Sequence, residues 1–200
     1  YIIDKCMAWS TMSKTTTCIR LHNWKSNLEK LHRHNVTILS YWYTGHWFEI
    51  GRIQTAGDAF FQRDCVCTYL DVAQNVNNAS LVSISNICRK KTPDGELLVA
   101  NGTLFSNQQP ANGVYNETIG YTHQIASYNI IVLQENEYSV EYDCVEELGI
   151  TNYCVHVLSR QSTLNQMMVD NLLKIAQQYD LNPEKLEFIY SKQQNCTYNR

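Results

Sequence analysis

From Tyr41 to Arg160 apolar and polar positions alternate in short runs rich in Val, Ile, Thr and Tyr. This period of two is the signature of half-buried strands. Turn signals separate the runs: Thr92-Pro93-Asp94-Gly95, then Gln108 to Gly113 around Pro110, then Gln134-Glu135-Asn136-Glu137. The runs fall at 47–55, 65–71, 80–90, 96–106, 114–122, 125–134, 138–145 and 152–159, which predicts eight strands joined by hairpin-type turns. Helical stretches are absent between them, so a parallel sheet with crossover helices is excluded. An all-β, eight-stranded antiparallel up-and-down barrel closes its own edges and fits this count. A two-sheet sandwich would satisfy the same alternation.

After Arg160 the period changes. Leu164, Met168, Leu172, Ala176 and Tyr179 form one apolar stripe at helical spacing, with Met167 and Leu173 beside it. Thr163 and Gln166 read as a capping box. Asn182-Pro183-Glu184 ends the helix, and Leu186 to Tyr190 reads as a short final strand. The stripe is expected to pack against the barrel exterior. Residues 1–40 show no such order and read as an N-terminal strap on the main domain. Leu21, Trp24, Leu28 and Leu31 have the spacing of one short helix within it. Residues 41–200 then form a single domain of barrel, helix and tail.

The formal net charge is -3 and no basic run occurs, which argues against nucleic acid or an anionic membrane as partner. No apolar stretch approaches the ~20 residues of a bilayer span. The chain opens at Tyr1 without a leader and is read as a processed form. Eight cysteines (6, 18, 65, 67, 88, 144, 154 and 196) are spread over the sequence without paired zinc knuckles, so disulfides are the expected use. Five Asn-x-Ser/Thr acceptors, at Asn35, Asn78, Asn101, Asn116 and Asn195, carry the same implication of a secreted, extracellular protein bearing N-linked glycans.

Three segments in order then resemble the lipocalin family. Gly45-His46-Trp47 resembles the Gly-x-Trp that opens the first barrel strand. Asn136-Glu137-Tyr138 stands where the family has a Thr-Asp-Tyr-like turn, here without the Thr. Arg160 ends the last barrel strand, immediately before the helix. The segment Lys185 to Cys196 is similar to the tail of insect bilin-binding and apolipoprotein D-like lipocalins. The resemblance covers about 41–200. It implies that Trp47 plugs one end of the barrel with Arg160 lying across it, a cation–π contact of about 0.5–2 kcal/mol. It also implies two bridges, Cys65–Cys196 and Cys18–Cys144, with Cys67 able to stand in for Cys65 and Cys6 for Cys18. Each bridge across a long loop should stabilise by about 2–4 kcal/mol.

Catalytic signatures are missing from the sequence: it has no Gly-x-Ser-x-Gly, no His-Glu-x-x-His and no phosphate loop. The six His are scattered, and His32 and His34 lie in the polar strap. An enzyme is therefore not expected, and no metal-ligating set is legible. A barrel of this size can hold one small ligand. The residues expected to line it are Tyr69, Ile84, Asn86, Cys88, Ala100, Tyr115, Tyr128, Cys154 and His156, a mainly apolar and aromatic set. Val82, Glu117, Ile119 and Leu158 share their faces. His156 reads either as a hydrogen-bond donor to the ligand or as a satisfied core histidine. If Cys88 or Cys154 lacks a disulfide partner, its thiol is placed to form a thioether with a tetrapyrrole vinyl group.

The expected function is therefore an extracellular carrier of a small hydrophobic ligand, favoured by the resemblance to be a biliverdin-type bilin. A fatty acid, retinoid or other lipid is the rival. The other class is a storage or interaction glycoprotein with a filled barrel, and haem binding through His156 ranks below it. Oligomeric state is left open.

Overall fold

In a computed structural model of the chain, residues 18, 43–57, 62–76, 78, 81–107, 113–119 and 125–198 are described. The strap helix expected over 21–31, Cys6 and Asn35 lie outside them. Eight strands follow one another: β1 (Gly45–Gln54), β2 (Cys65–Gln74), β3 (Leu81–Lys90), β4 (Leu97–Phe105), β5 (Val114–Ile119), β6 (Ile125–Gln134), β7 (Tyr138–Glu147) and β8 (Ile150–Ser159). Each pairs antiparallel with the next, and β1 pairs with both β2 and β8, so the sheet closes into an up-and-down barrel. The sandwich geometry is thereby excluded. The Thr92 to Gly95 turn forms as read, with Gly95 N donating to Thr92 O at 2.9 Å. Residues 108–112 of the second expected turn lie outside the described residues; at the third, Glu137 N donates to Gln134 O at 2.9 Å.

The helix α1 (Gln166–Gln178) lies on the outside. Its buried residues Val169, Leu172 and Ala176 cover the outward face of the barrel at Ile53, Val140, Tyr153, Val155 and Val157. Burying a Val or Leu side chain stabilises by about 1.5–3 kcal/mol, so this seam holds the helix in place. Thr163 does not cap it. The cap is Asn165, whose Oδ1 accepts from Met168 N at 2.8 Å. Both residues are good caps by chemistry, and the helix simply begins two residues later than the capping-box reading. The final strand β9 is only Ile189–Tyr190.

One seam of the barrel is unusual. β1 pairs with β2 only from Gly45 to Phe48. Beyond that point the two diverge, and residues 189–193 occupy the space between them. Gly51 pairs with Tyr190, and Ser191 N donates to Ile50 O at 3.0 Å. On the other side, Cys67 N donates to Lys192 O at 2.8 Å. The Gln193 amide bridges both strands, donating to Glu49 O at 2.7 Å and Thr68 O at 2.8 Å.

Among the described residues the disulfides are Cys18–Cys144, Cys65–Cys88 and Cys67–Cys196. The first is as expected. The Cys65–Cys196 pairing is corrected: Cys67 holds the tail, and Cys65 is joined to Cys88. The cause is a bulge in β2 between Val66 and Tyr69, with Cys67 at φ 55°. A bulge adds one residue to one side of the ladder and turns a side chain aside. Cys67 is thereby released toward the tail. Cys65 stands opposite Lys90, two residues from Cys88 along β3 and so on the same face.

Candidate functional site

The end of the barrel at Gly45 is closed. Trp47 is fully buried, and its indole Nε1 donates to Tyr43 O at 2.8 Å. The Arg160 guanidinium lies 3.4 Å from the Trp47 ring. It donates to His46 O and Thr44 O, both at 2.8 Å, and to Glu135 O at 3.0 Å. Arg160 N also donates to Glu137 O at 2.9 Å, which docks the β6–β7 turn on the plug. Gly45, at φ 103°, is required here: a Cβ would meet Arg160 Nη1 at 3.0 Å. Gly45, Trp47 and Arg160 thus meet at this end of the barrel.

Above the plug the interior has two sides. On β2 to β4 the inward residues are Leu70, Val72, Val82, Ile84, Ala100 and Leu104, all buried. Asn86, Leu98 and Gly102 share these inward faces and are half-buried. Tyr115 and Tyr128 face in from β5 and β6, and Glu117 lies on the face of Tyr115. Side chains of two of these residues carry buried polar atoms without a partner among the described residues: Tyr115 Oη and Asn86 Oδ1.

The side made by β1, β7 and β8 is charged. Glu49 is fully buried and accepts from Arg52 Nη1 at 2.6 Å, from the Ser191 hydroxyl, and from His156 Nδ1 at 2.9 Å. The other ring nitrogen of His156, Nε2, lies 3.3 Å from Asp143 Oδ2. The Tyr43 and Tyr128 hydroxyls are 2.7 Å apart and both donate to Glu141, which is fully buried. Cys154 is buried directly across from Asp143 and belongs to none of the three bridges.

Burial alone would push every one of these acids up. In Glu49 it is outweighed by Arg52, His156 and Ser191, which hold the carboxyl down at about 2. Glu141 is pushed up to about 7 by burial despite its two tyrosine donors. Glu117 is pushed up to about 8 by burial and by the charge of Asp143. For His156, burial opposes the charged ring, and the facing Cys154, Asp143 and Glu49 overcome it, so its proton is held well above the ordinary range.

Eight of the nine expected lining residues point inward. Tyr69 does not. It stands opposite Phe48 and Ile87 on the outer surface, packed edge-on against Tyr198 of the tail. The β2 bulge changes the parity that a regular strand would have kept. Cys88 does line the interior face, but its sulfur is bonded to Cys65, so it is not available to a ligand. His156 has both ring nitrogens engaged and is a satisfied core histidine. Of the acceptor asparagines described, Asn78, Asn101 and Asn195 are exposed and Asn116 is half-buried.

Sequence reading missed the charged wall. A signal existed: Trp47 and Glu49 are two apart on β1, so an inward Trp puts Glu49 inward too. Glu141 and Asp143 are likewise two apart on β7. Near the end opposite Trp47, the diverging β1 and β2 leave a cleft of about 680 Å³. Its lining includes Arg52, Arg63, Lys91 and Lys192, with Asp64 the one acid.

No protein-family model matches the chain, and no curated protein matches it in sequence. Solved structures do match. Lobster apocrustacyanin A1 superposes with a TM-score of 0.61 at 15% identity, over 84% of this chain and 85% of that one. Insecticyanin from the tobacco hornworm Manduca sexta gives 0.57 at 15%, over 80% and 84%. An odorant-binding protein gives 0.56 at 14%, over 78% and 94%. Identities this low speak for architecture alone. With the closed eight-stranded barrel, the Trp47–Arg160 plug, the outer helix and these superpositions together, the chain has the lipocalin fold.

Proposed function

We propose that the protein is a secreted carrier that holds one small amphipathic molecule inside the barrel, and that a biliverdin-type bilin suits it best. The observation that carries this reading is the pair of buried polar atoms without a partner among the described residues, Tyr115 Oη and Asn86 Oδ1, on inward faces otherwise lined by apolar side chains. Buried polar atoms in folded proteins nearly always find a partner, and a ligand with matching donors and acceptors supplies one. The likeness to structures named insecticyanin, crustacyanin and odorant-binding protein supports the same class.

The electrostatics favour a bilin over a fatty acid. The negative charge of Asp143 raises both Glu117 and Glu141, and a lipid carboxylate placed beside it would meet the same repulsion. Near neutral pH Glu117 retains its proton, and a protonated carboxyl donates to a lactam carbonyl. Pyrrole N–H groups suit the Asn86 oxygen. The acidic propionates suit the basic cleft at Arg63, Lys91 and Lys192. Three disulfides among the described residues support secretion, and the exposed Asn78, Asn101 and Asn195 are the proposed glycan sites.

The test is titration of the purified protein with biliverdin, followed by visible absorbance and quenching of tryptophan fluorescence. Stoichiometric uptake with a red-shifted band is expected. Uptake of fatty acid but not biliverdin sinks the pigment and leaves the carrier. Uptake of neither favours the filled-barrel glycoprotein. Intact mass of the pigmented protein, equal to the chain plus glycans, would rule out a thioether at Cys154.

A further inference from the structure

We propose that Asp143, Cys154 and His156 form a three-donor site for a zinc-class divalent cation inside the barrel. The proposal does not rest on the pigment reading. One donor atom from each residue lies within 4.8 Å of the others. The topology makes this so. Cys154 and His156 are two apart on β8 and share its inward face, and Asp143 is the direct cross-strand partner of Cys154 on β7.

The donor chemistry is that of zinc. A thiolate, an imidazole and a carboxylate are its usual ligands, at about 2.0–2.3 Å around a tetrahedral centre. Nitrogen and oxygen donors at those lengths are separated by roughly 3.4 Å along a tetrahedral edge. His156 Nε2 and Asp143 Oδ2 are 3.3 Å apart. Calcium and magnesium, which take oxygen ligands, would not use the sulfur or the ring nitrogen.

The supporting shell is also in place. Metal-bound histidines usually donate their second N–H to a carboxylate, which fixes the ring and its tautomer. Here His156 Nδ1 contacts Glu49 Oε2 at 2.9 Å, and Glu49 is in turn held by Arg52 at 2.6 Å. Cys154 is fully buried, which shields its sulfur, while Asp143 is partly accessible and gives an entry side. Three protein donors leave the fourth position open toward the barrel interior. A water or a polar atom of the carried molecule can take it.

The test uses the full chain, stripped with chelator and free of pigment, titrated with Co²⁺ and separately with Zn²⁺. One metal per chain is expected, with a thiolate-to-cobalt charge-transfer band in the near ultraviolet. Zn²⁺ should protect Cys154 from alkylation. Cys154→Ser should abolish the band. Asp143→Asn, at a partly accessible position, should weaken binding without threatening the fold. Glu49→Gln should retain stoichiometry and weaken zinc binding about 10–100-fold. A band that survives Cys154→Ser overturns the assignment. So does an alkylation rate unchanged by Zn²⁺ in the unmodified chain. Since no bilin is present, failure here leaves the carrier reading untouched, and biliverdin uptake by Cys154→Ser tests that reading alone.

Discussion

On β2 to β4 the inward positions hold Leu70, Val72, Val82, Ile84, Ala100 and Leu104; across the barrel, on β1, β7 and β8, they hold Glu49, Arg52, Glu141, Asp143, Cys154 and His156. Both walls are built from strands with the same alternation. They are stabilised in different ways. The apolar wall gains by removing area from water, so each side chain contributes nearly on its own. The charged wall is a set of groups that are tolerated only together. A buried ion pair contributes little beyond its desolvation cost, whereas an ion left without its partner is strongly destabilising.

The largest test of this contrast is Glu49→Ala. It removes the shared Glu49 carboxylate from both Arg52 and His156 at once, so a loss of about 3–5 kcal/mol is expected in urea denaturation. The double variant with Arg52→Ala should recover part of that loss, which an additive wall would not do. A fully additive cycle would remove the cooperative description. On the opposite wall Leu104→Ala should cost about 2–5 kcal/mol, from lost transfer energy and the void it leaves. Paired with Leu172→Ala, which lies in the separate cluster under the outer helix, its effect should simply sum; coupling between them above about 0.5 kcal/mol would show that the two clusters are not independent.

The most gradual effect is in pH dependence. Glu117 titrates at about 8 in the fold against an ordinary 4.5, so the folded chain holds a proton that the unfolded chain gives up between those values. Its contribution is therefore fully present below pH ~4.5 and is lost as pH rises toward ~8. Glu117→Gln should flatten the stability curve over that interval relative to the unaltered chain, as read from urea midpoints at successive pH values. An unchanged slope would mean that Glu117 is already hydrated and ionised.

The strands, the outer helix and the Trp47–Arg160 plug were legible because each is written in a local period or an ordered motif. Three things were not. The β2 bulge rests on one cysteine in left-handed backbone, which no side-chain pattern announces, and it displaced both Tyr69 and the Cys65 pairing. The choice of Asn165 over Thr163 as cap depends on where the chain leaves β8, a tertiary matter. The Asp143, Cys154 and His156 grouping needs the β7–β8 register, since spacing along β8 joins only two of the three.

The segment that enters the seam between β1 and β2 sets an order of events. Cys67 and Cys196 are 129 residues apart in sequence, and the contacts of Ser191 and Gln193 with β1 and β2 are nearly as distant. Such contacts close late, because loop entropy must be overcome before they return any stabilisation. As the chain emerges during synthesis, β1 to β8 can pair in succession, yet the side of the cylinder stays ajar until residues 189–196 arrive. During that interval the inner acids have a lateral window to solvent. Pairing of the eight strands and sealing of the seam are thus separate moments, and the last of them is made permanent by oxidation of a single cysteine pair.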